Sequence, residues 1–218
     1  MPVLAVTDLR VRRGRRVVLP GLDLTIGAGE VVGCIGPNGA GKTTMMHALL
    51  GLLPHAGLVR APDAREIGFV PQENGVATGA RPREWVAHWA AVRGAAPAEV
   101  DAVMQRLGVP DVRRSVRQLS IGERRRVAVA AAIVGAPRLL ILDEPTVGLD
   151  PESRARMLRE VRRLADTGTA VLFSSHLIDD LTRTATRVFA LRDGVIVGAG
   201  SVDTLDALAA ETFEVGDE

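Results

Sequence analysis

Short apolar runs fill the first third of the chain. Val3-Leu4-Ala5-Val6, Arg16-Val17-Val18-Leu19 and the alternating Leu22-Asp23-Leu24-Thr25-Ile26 read as strands. Gly14, Pro20-Gly21 and Gly27-Ala28-Gly29 punctuate them, which predicts a small antiparallel sheet. Val31-Val32-Gly33-Cys34-Ile35 is continuously apolar and reads as a buried strand. Met46, Leu49, Leu50 and Leu53 then follow a helical spacing over residues 43–53. Leu58-Val59 and Ile67-Gly68-Phe69-Val70 are again strand-like, and Pro71-Gln72-Glu73 breaks the pattern.

The period changes over residues 73–118. Trp85, Val86, Trp89 and Val92, and then Val100, Val103, Met104 and Leu107, mark two helices separated by Gly94 and Pro97. From Leu119 the alternation of helix and strand returns. A mostly apolar helix over 123–134 ends at Gly135-Ala136-Pro137, and Leu139-Leu140-Ile141-Leu142 reads as a strand covered on both faces. Residues 151–166 predict a helix, 169–174 a strand, 177–185 a short helix, 188–191 and 195–197 a hairpin, and 202–209 a last helix. The acidic segment 211–218 reads as a loose tail.

This pattern predicts an α/β chain with one organising domain. Residues 1–30 would form an antiparallel β subdomain, 31–72 and 119–200 a core with a parallel sheet, 73–118 an inserted helical subdomain, and 201–218 a C-terminal helix and tail. At 218 residues the chain is long enough for a full core. The net charge of +1 gives no global field for nucleic acid, and the arginine clusters at 12–16, 113–114 and 124–126 have no interleaved aromatics, so they read as solvated faces. Cys34, the lone cysteine, excludes an internal disulfide, fits a reducing compartment, and reads as a small core residue. No basic-then-apolar leader opens the sequence, and no apolar run approaches the ~18 residues of a membrane span.

The chemistry begins at Gly36-Pro37-Asn38-Gly39-Ala40-Gly41-Lys42-Thr43-Thr44, which fits the phosphate-binding pattern G-x-x-x-x-G-K-[ST]. Glycines at 36, 39 and 41 let the backbone turn its N–H groups inward as an anion nest. Lys42 would reach the outer phosphates, and the Thr43 hydroxyl would bind Mg²⁺. A strand before the loop and a helix after it put a helix N-terminus at the phosphates. Lys42 is the only lysine, and arginine supplies every other fixed side-chain cation, which suggests arginine cannot do its job. Asp143-Glu144-Pro145 ends the buried strand with two carboxylates aimed in different directions: one can hold Mg²⁺ and the other can polarise water. Ser120, in Leu119-Ser120-Ile121-Gly122-Glu123, is a good N-cap, and Gly122 leaves N–H groups open for either a second anion site or an ordinary capped helix.

Glycine loop, isolated Gln72, L-S-x-G helix start, Asp-Glu-Pro after a strand, Gly148-Leu149-Asp150-Pro151, and Ser175-His176 after another strand occur in that order. The order resembles the ATP-binding domain of ABC transporters, over roughly residues 3–200. The resemblance implies a P-loop NTPase core. It implies a Walker A loop at residues 36–44, a Q-loop glutamine at Gln72 that contacts Mg²⁺ and the attacking water, and a signature motif at residues 120–123. It further implies Mg²⁺ held near Asp143, a catalytic glutamate at Glu144, a D-loop aspartate at Asp150, and a switch histidine at His176. Two positions depart from the family pattern. Ile121 and Glu123 alter the signature consensus, and Glu123 would repel a γ-phosphate unless turned toward an arginine such as Arg126. Arg13 stands where the family usually stacks an aromatic residue on adenine, and a guanidinium plane can stack there too.

The resemblance implies ATP and Mg²⁺ as ligands and a separate membrane permease as partner. It also implies a homodimer, or a heterodimer with a paralogous ATPase, in which each loop faces the other copy's signature. Transport, with export favoured, is the leading expectation, from the cytoplasmic face of the membrane and without nucleic acid. Trp85 and Trp89 are candidates either for a docking groove or for core. The alternative is an ABC ATPase without transport. DNA-repair types would need long coiled coils in 73–118, and translation factors would need two such domains. A kinase would not need the signature or Asp-Glu-Pro.

Overall fold

The computed structural model describes residues 1–73 and 75–213. Four strands form an antiparallel sheet. β1 (Leu4–Arg13) lies at its centre and pairs with β2 (Arg16–Leu19) and β3 (Leu24–Ile26). Its fourth member, β5 (Ala56–Arg60), also pairs with β1, although it follows β4 (Val31–Ile35) and α1 (Lys42–Leu49) in the chain. The antiparallel unit is therefore not confined to residues 1–30, and part of the segment expected in the core belongs to it.

β1 runs past Val6, where the sequence pattern suggested a stop. Asp8 adopts φ 51°, and the register against β5 shifts between Thr7 and Arg10. That irregularity reverses the parity of the strand, so Leu4 and Val6, then Leu9 and Val11, all face inward. α1 stops at Leu49 rather than near residue 53. Gly51 takes φ 69°, its N–H donates to the Ala48 carbonyl, and the Leu52 N–H donates to the His47 carbonyl at 2.9 Å. This closure satisfies the last carbonyls and ends the helix, while Leu50 and Leu53 still pack on the core.

The central sheet has six strands. β6 (Ile67–Val70), β7 (Leu139–Asp143), β8 (Ala170–Ser174), β4 and β9 (Arg187–Arg192) run parallel in that spatial order, and β10 (Val195–Ser201) closes the edge antiparallel to β9. β4, β7 and β8 are buried along their whole length, so they are largely apolar and their side chains alternate between two cores, whereas edge strand β10 leaves Val195 and Val197 exposed. Leu140, Leu142, Val171 and Phe173 enter the core on the helical side. Leu139, Ile141, Ala170 and Leu172 enter the core shared with α1 and the antiparallel sheet.

The helical side is built from α2 (Pro82–Arg93), α3 (Pro97–Leu107), α4 (Ile121–Ile133), α5 (Pro151–Asp166), α6 (Ile178–Thr184) and α7 (Leu205–Phe213). Val86, Val100, Val103, Met104 and Leu107 of the inserted helices share one core with α4. β6 sits so close to α4 that a Cβ on Gly68 would lie 2.2 Å from the Ala132 carbonyl oxygen. Arg93, at the end of α2, donates to the carbonyls of Ala131, Val134 and Ile67 at 2.7, 3.2 and 3.1 Å. Burial lowers its pKa to about 10, leaving it charged at neutral pH. Residues 211–213, expected in a loose tail, belong to α7, and the rest of that tail lies outside the described residues. No helix among the described residues is long and apolar enough to cross a membrane.

Candidate functional site

The site residues gather at the carboxyl ends of neighbouring parallel strands, the usual place for ligands in such sheets. The glycine loop follows β4, Gln72 follows β6, Glu144 follows β7, and Ser175-His176 follows β8. In register, Ser174 lies beside both Cys34 and Asp143, so the three loops emerge side by side. Burial pushes the Cys34 thiol pKa far up, which keeps it inert beneath the loop.

Gly36, Gly39 and Gly41 take φ values of 155°, 84° and 106°, conformations that a side chain would strain. A Cβ on Gly36 would also meet the Leu191 carbonyl oxygen at 2.1 Å. The loop feeds directly into α1, whose open N–H groups complete an anion cradle. Lys42 is buried and folds back over the loop, with Nζ donating to the carbonyls of Gly36 at 2.6 Å and Pro37 at 3.2 Å.

A hydrogen-bonded chain links the loop to the acidic strand end. Thr43 Oγ1 donates to Asp143 Oδ2 at 2.6 Å. Ser174 Oγ donates to Asp143 Oδ1 at 2.7 Å and accepts the Glu144 N–H at 2.9 Å. Ser174 is fully buried and Asp143 almost so. Glu144 holds φ 48°, an uncommon backbone for a non-glycine residue. Its Oε2 accepts the His176 N–H at 3.3 Å and lies 2.8 Å from His176 Nδ1. An ionised carboxylate only accepts, so Nδ1 carries its proton toward Glu144 and Nε2 is left to face solvent or a ligand.

A cleft of about 300 Å³ brings together Arg13, residues 37–44, Gln72, Asp143 and Glu144. Arg16 and Val18, absent from the sequence-based set, line it as well. Ser120, Gly122 and Asp150 do not line this cleft; they make a separate patch. Ser120 Oγ caps α4 by accepting the Glu123 N–H at 3.2 Å. A Cβ on Gly122 would lie 3.1 Å from the Gly148 carbonyl oxygen, so this turn packs on the segment that leads to Asp150. Asp150 Oδ1 accepts the Ser153 N–H at 2.9 Å and caps α5, and these Ser153 interactions hold its carboxyl below the usual range.

Glu123 folds back onto the N-terminal end of α4, and its partners differ from the expected Arg126. Its Oε2 accepts the Ser120 N–H at 2.7 Å, and its Oε1 pairs with Arg114 at 3.2 Å. The Ser120 backbone bond is the main reason its carboxyl sits below the ordinary value. Arg126 is engaged elsewhere, donating to the Gly108 carbonyl at 3.0 Å and Ser153 Oγ at 2.9 Å. Arg125, from a cluster that read as a solvated face, is almost fully buried and donates to the carbonyls of Pro71 and Gln72.

A family model described as ABC transporter matches residues 19–147. A zinc import ATP-binding protein of Cereibacter sphaeroides is 41% identical over 196 residues, covering 88% of this chain and 79% of that protein. A daunorubicin resistance ATP-binding protein of Streptomyces coeruleorubidus is 35% identical over 222 residues, covering 94% and 70% respectively. The solved ATP-binding subunit of an ABC transporter superposes with a TM-score of 0.89 at 23% identity, covering 96% of this chain and 99% of that one, a likeness of fold.

Proposed function

The chain belongs to the ABC transporter family as an ATP-binding subunit, and on that premise we propose that it binds ATP with Mg²⁺, hydrolyses it between two copies, and powers transport through a separate permease. The observation that carries the reading is the Thr43–Asp143–Ser174–Glu144 chain, which ties a phosphate cradle to a positioned carboxylate.

The donor set suits Mg²⁺. Thr43 Oγ1 and Asp143 Oδ2 are adjacent hard oxygens beside the cradle, and Asp143 is buried without an ion pair among the described residues. No group of three or more His, Cys, Asp or Glu among the described residues could hold a metal by itself, so the remaining ligands would be phosphate oxygens and water. When bound, the ion neutralises charge that develops on the transferred phosphoryl group. Glu144 orients the attacking water and accepts its proton, and its bonds to His176 hold the carboxylate in place. On this reading His176 would contact the γ-phosphate, Lys42 would clamp the outer phosphates, and Gln72 would serve the metal and the attacking water. Arg13 stacks on the base.

Ser120, Gly122 and Asp150 lie outside the lining of the chain's own cleft, which supports a dimer in which each signature turn completes the other copy's site. Two identical copies are the simplest arrangement; a paralogous ATPase as partner would meet the same geometric need. We place the permease contact at the groove of about 330 Å³ between β6, α2 and α4, lined by Phe69, Trp85 and Trp89, at the inner face of the membrane. Its apolar lining supports this assignment.

Outward transport is our reading of direction, supported by the resemblance to a resistance ATP-binding protein over 94% of the chain. A second reading, inward transport, is favoured by the 41% identity with a zinc import subunit. Co-purification with a membrane protein, then MgATP hydrolysis with and without it, tests the function. Hydrolysis that rises with the membrane partner is expected. A chain that binds no ATP, or that hydrolyses it with no membrane partner retained, contradicts the reading. Flux in inside-out vesicles containing both subunits decides direction.

A further inference from the structure

Arg125 lies in the first turns of α4, three residues past Gly122, yet its side chain points into the protein and is only 3% exposed. Its guanidinium donates from Nη1 to the Pro71 carbonyl and from Nη2 to the Gln72 carbonyl, each at 2.7 Å. These are consecutive carbonyls of the segment that follows β6, and a planar fork fits them where a point charge cannot. Nε is buried and has no partner among the described residues, so both bonds from this cation go to that segment. Burial lowers its pKa, and the nearby charges of Asp143 and Glu144 oppose that shift, so the acidic strand end supplies its counter-charge.

The placement joins two surfaces that are otherwise separate. Gln72 lines the chain's own nucleotide cleft. The 120–122 turn lies at the start of the same helix that carries Arg125 and serves, on the reading above, the nucleotide of a second copy. Movement of the Gln72 backbone must either drag the start of α4 or break two charge-assisted bonds in a buried place.

We propose that Arg125 is a positioning residue that locks the Gln72 segment of a chain's own cleft to the first turn of α4, so that nucleotide in that cleft is felt at the 120–122 turn. The proposal rests on the ATPase reading. The sequence alone did not single out Arg125, because its partners lie 54 and 53 residues away.

The test uses the full chain as wild type, Arg125→Lys and Arg125→Met. Wild-type MgATP hydrolysis is the control: if it is missing, the ATPase reading fails rather than this one. Below the melting temperature of each variant, kcat is expected to fall about tenfold or more while KM for ATP stays within about threefold, because binding is kept and positioning is lost. Lysine is expected not to restore the rate. Amide hydrogen exchange at a concentration where sedimentation shows only monomer gives the second readout. ATP is expected to slow exchange in peptides covering 67–73 and 119–128 together in wild type, and only in 67–73 in the lysine variant. Wild-type kcat in the lysine or methionine variant overturns the proposal. So does a wild-type 119–128 peptide that ignores ATP while 67–73 responds, and that comparison stands even if neither variant folds.

Discussion

Replacing Ser174 with alanine removes one hydroxyl and leaves two buried groups without their bond. Asp143 Oδ1 loses a donor at 2.7 Å and the Glu144 N–H loses an acceptor at 2.9 Å. A bond to a charged group contributes about 1.5–3 kcal/mol and a neutral one about 0.5–1.5 kcal/mol, so the sum is roughly 2–4.5 kcal/mol. For a chain of this size each kcal/mol shifts Tm by about 2–4 °C, which predicts a fall of roughly 4–18 °C. The site feels the same loss. Glu144 holds φ 48° with its N–H bonded to that hydroxyl, and His176 then bonds its carboxylate. Freed of that bond, the carboxylate loses the position that the proposed mechanism asks of it, and kcat is expected to fall about 10- to 100-fold. KM for ATP should change by less than about threefold, because the cradle and Lys42 are untouched. Calorimetry and steady-state MgATP hydrolysis, run well below both melting temperatures, measure the two effects. An alanine variant with Tm within about 1 °C and kcat within about twofold of wild type would refute the argument that this hydroxyl organises the acidic strand end.

Three further outcomes follow from the fold and the signature turn. Gly68→Ala puts a methyl 2.2 Å from the Ala132 carbonyl oxygen and should cost about 1–3 kcal/mol or more by prising β6 from α4; an unchanged urea midpoint would contradict that packing. Ser120→Ala removes the α4 cap and should cost about 1 kcal/mol in the same titration. Glu123 has a folded pKa below its unfolded value, so its stabilisation is present above the unfolded value and is lost as pH falls through the folded one. The stability gap between wild type and Glu123→Gln should therefore narrow below about pH 4, and a gap independent of pH would contradict the capping bond.

The parts of the site legible in the sequence were those whose chemistry is local. The glycine loop, the Asp143-Glu144 pair and the strand before His176 each declare themselves within a few residues. The bonds that organise them are not local. Ser174 reaches Asp143 across 31 residues and Arg125 reaches Gln72 across 53, and no spacing rule predicts either. Arg125 was hidden further by its neighbours, because a run of three arginines reads as a solvated face when one of the three is in fact buried. Glu123 shows competition for partners: the expected Arg126 was already held by Gly108 and Ser153, so the carboxylate turned to Ser120 and Arg114. In the fold, the apolar alternation that marks β1 breaks at its parity reversal near Asp8 although the strand runs on to Arg13, and β5 is separated in sequence from its sheet by β4 and α1. Helix ends failed where backbone closure at Gly51, rather than loss of apolar spacing, stopped α1.

On the proposed reading the cleft of one chain is half of a site, and the patch at Ser120, Gly122 and Asp150 supplies the other half to a second copy. Sedimentation velocity on the Glu144→Gln chain tests it, since that variant should keep the cradle, Lys42 and both faces while slowing hydrolysis by about 10²- to 10⁴-fold. With MgATP the chain is expected to sediment as a dimer, and with ADP or without nucleotide as a monomer. A chain that binds MgATP and remains monomeric at every concentration tested would contradict the account.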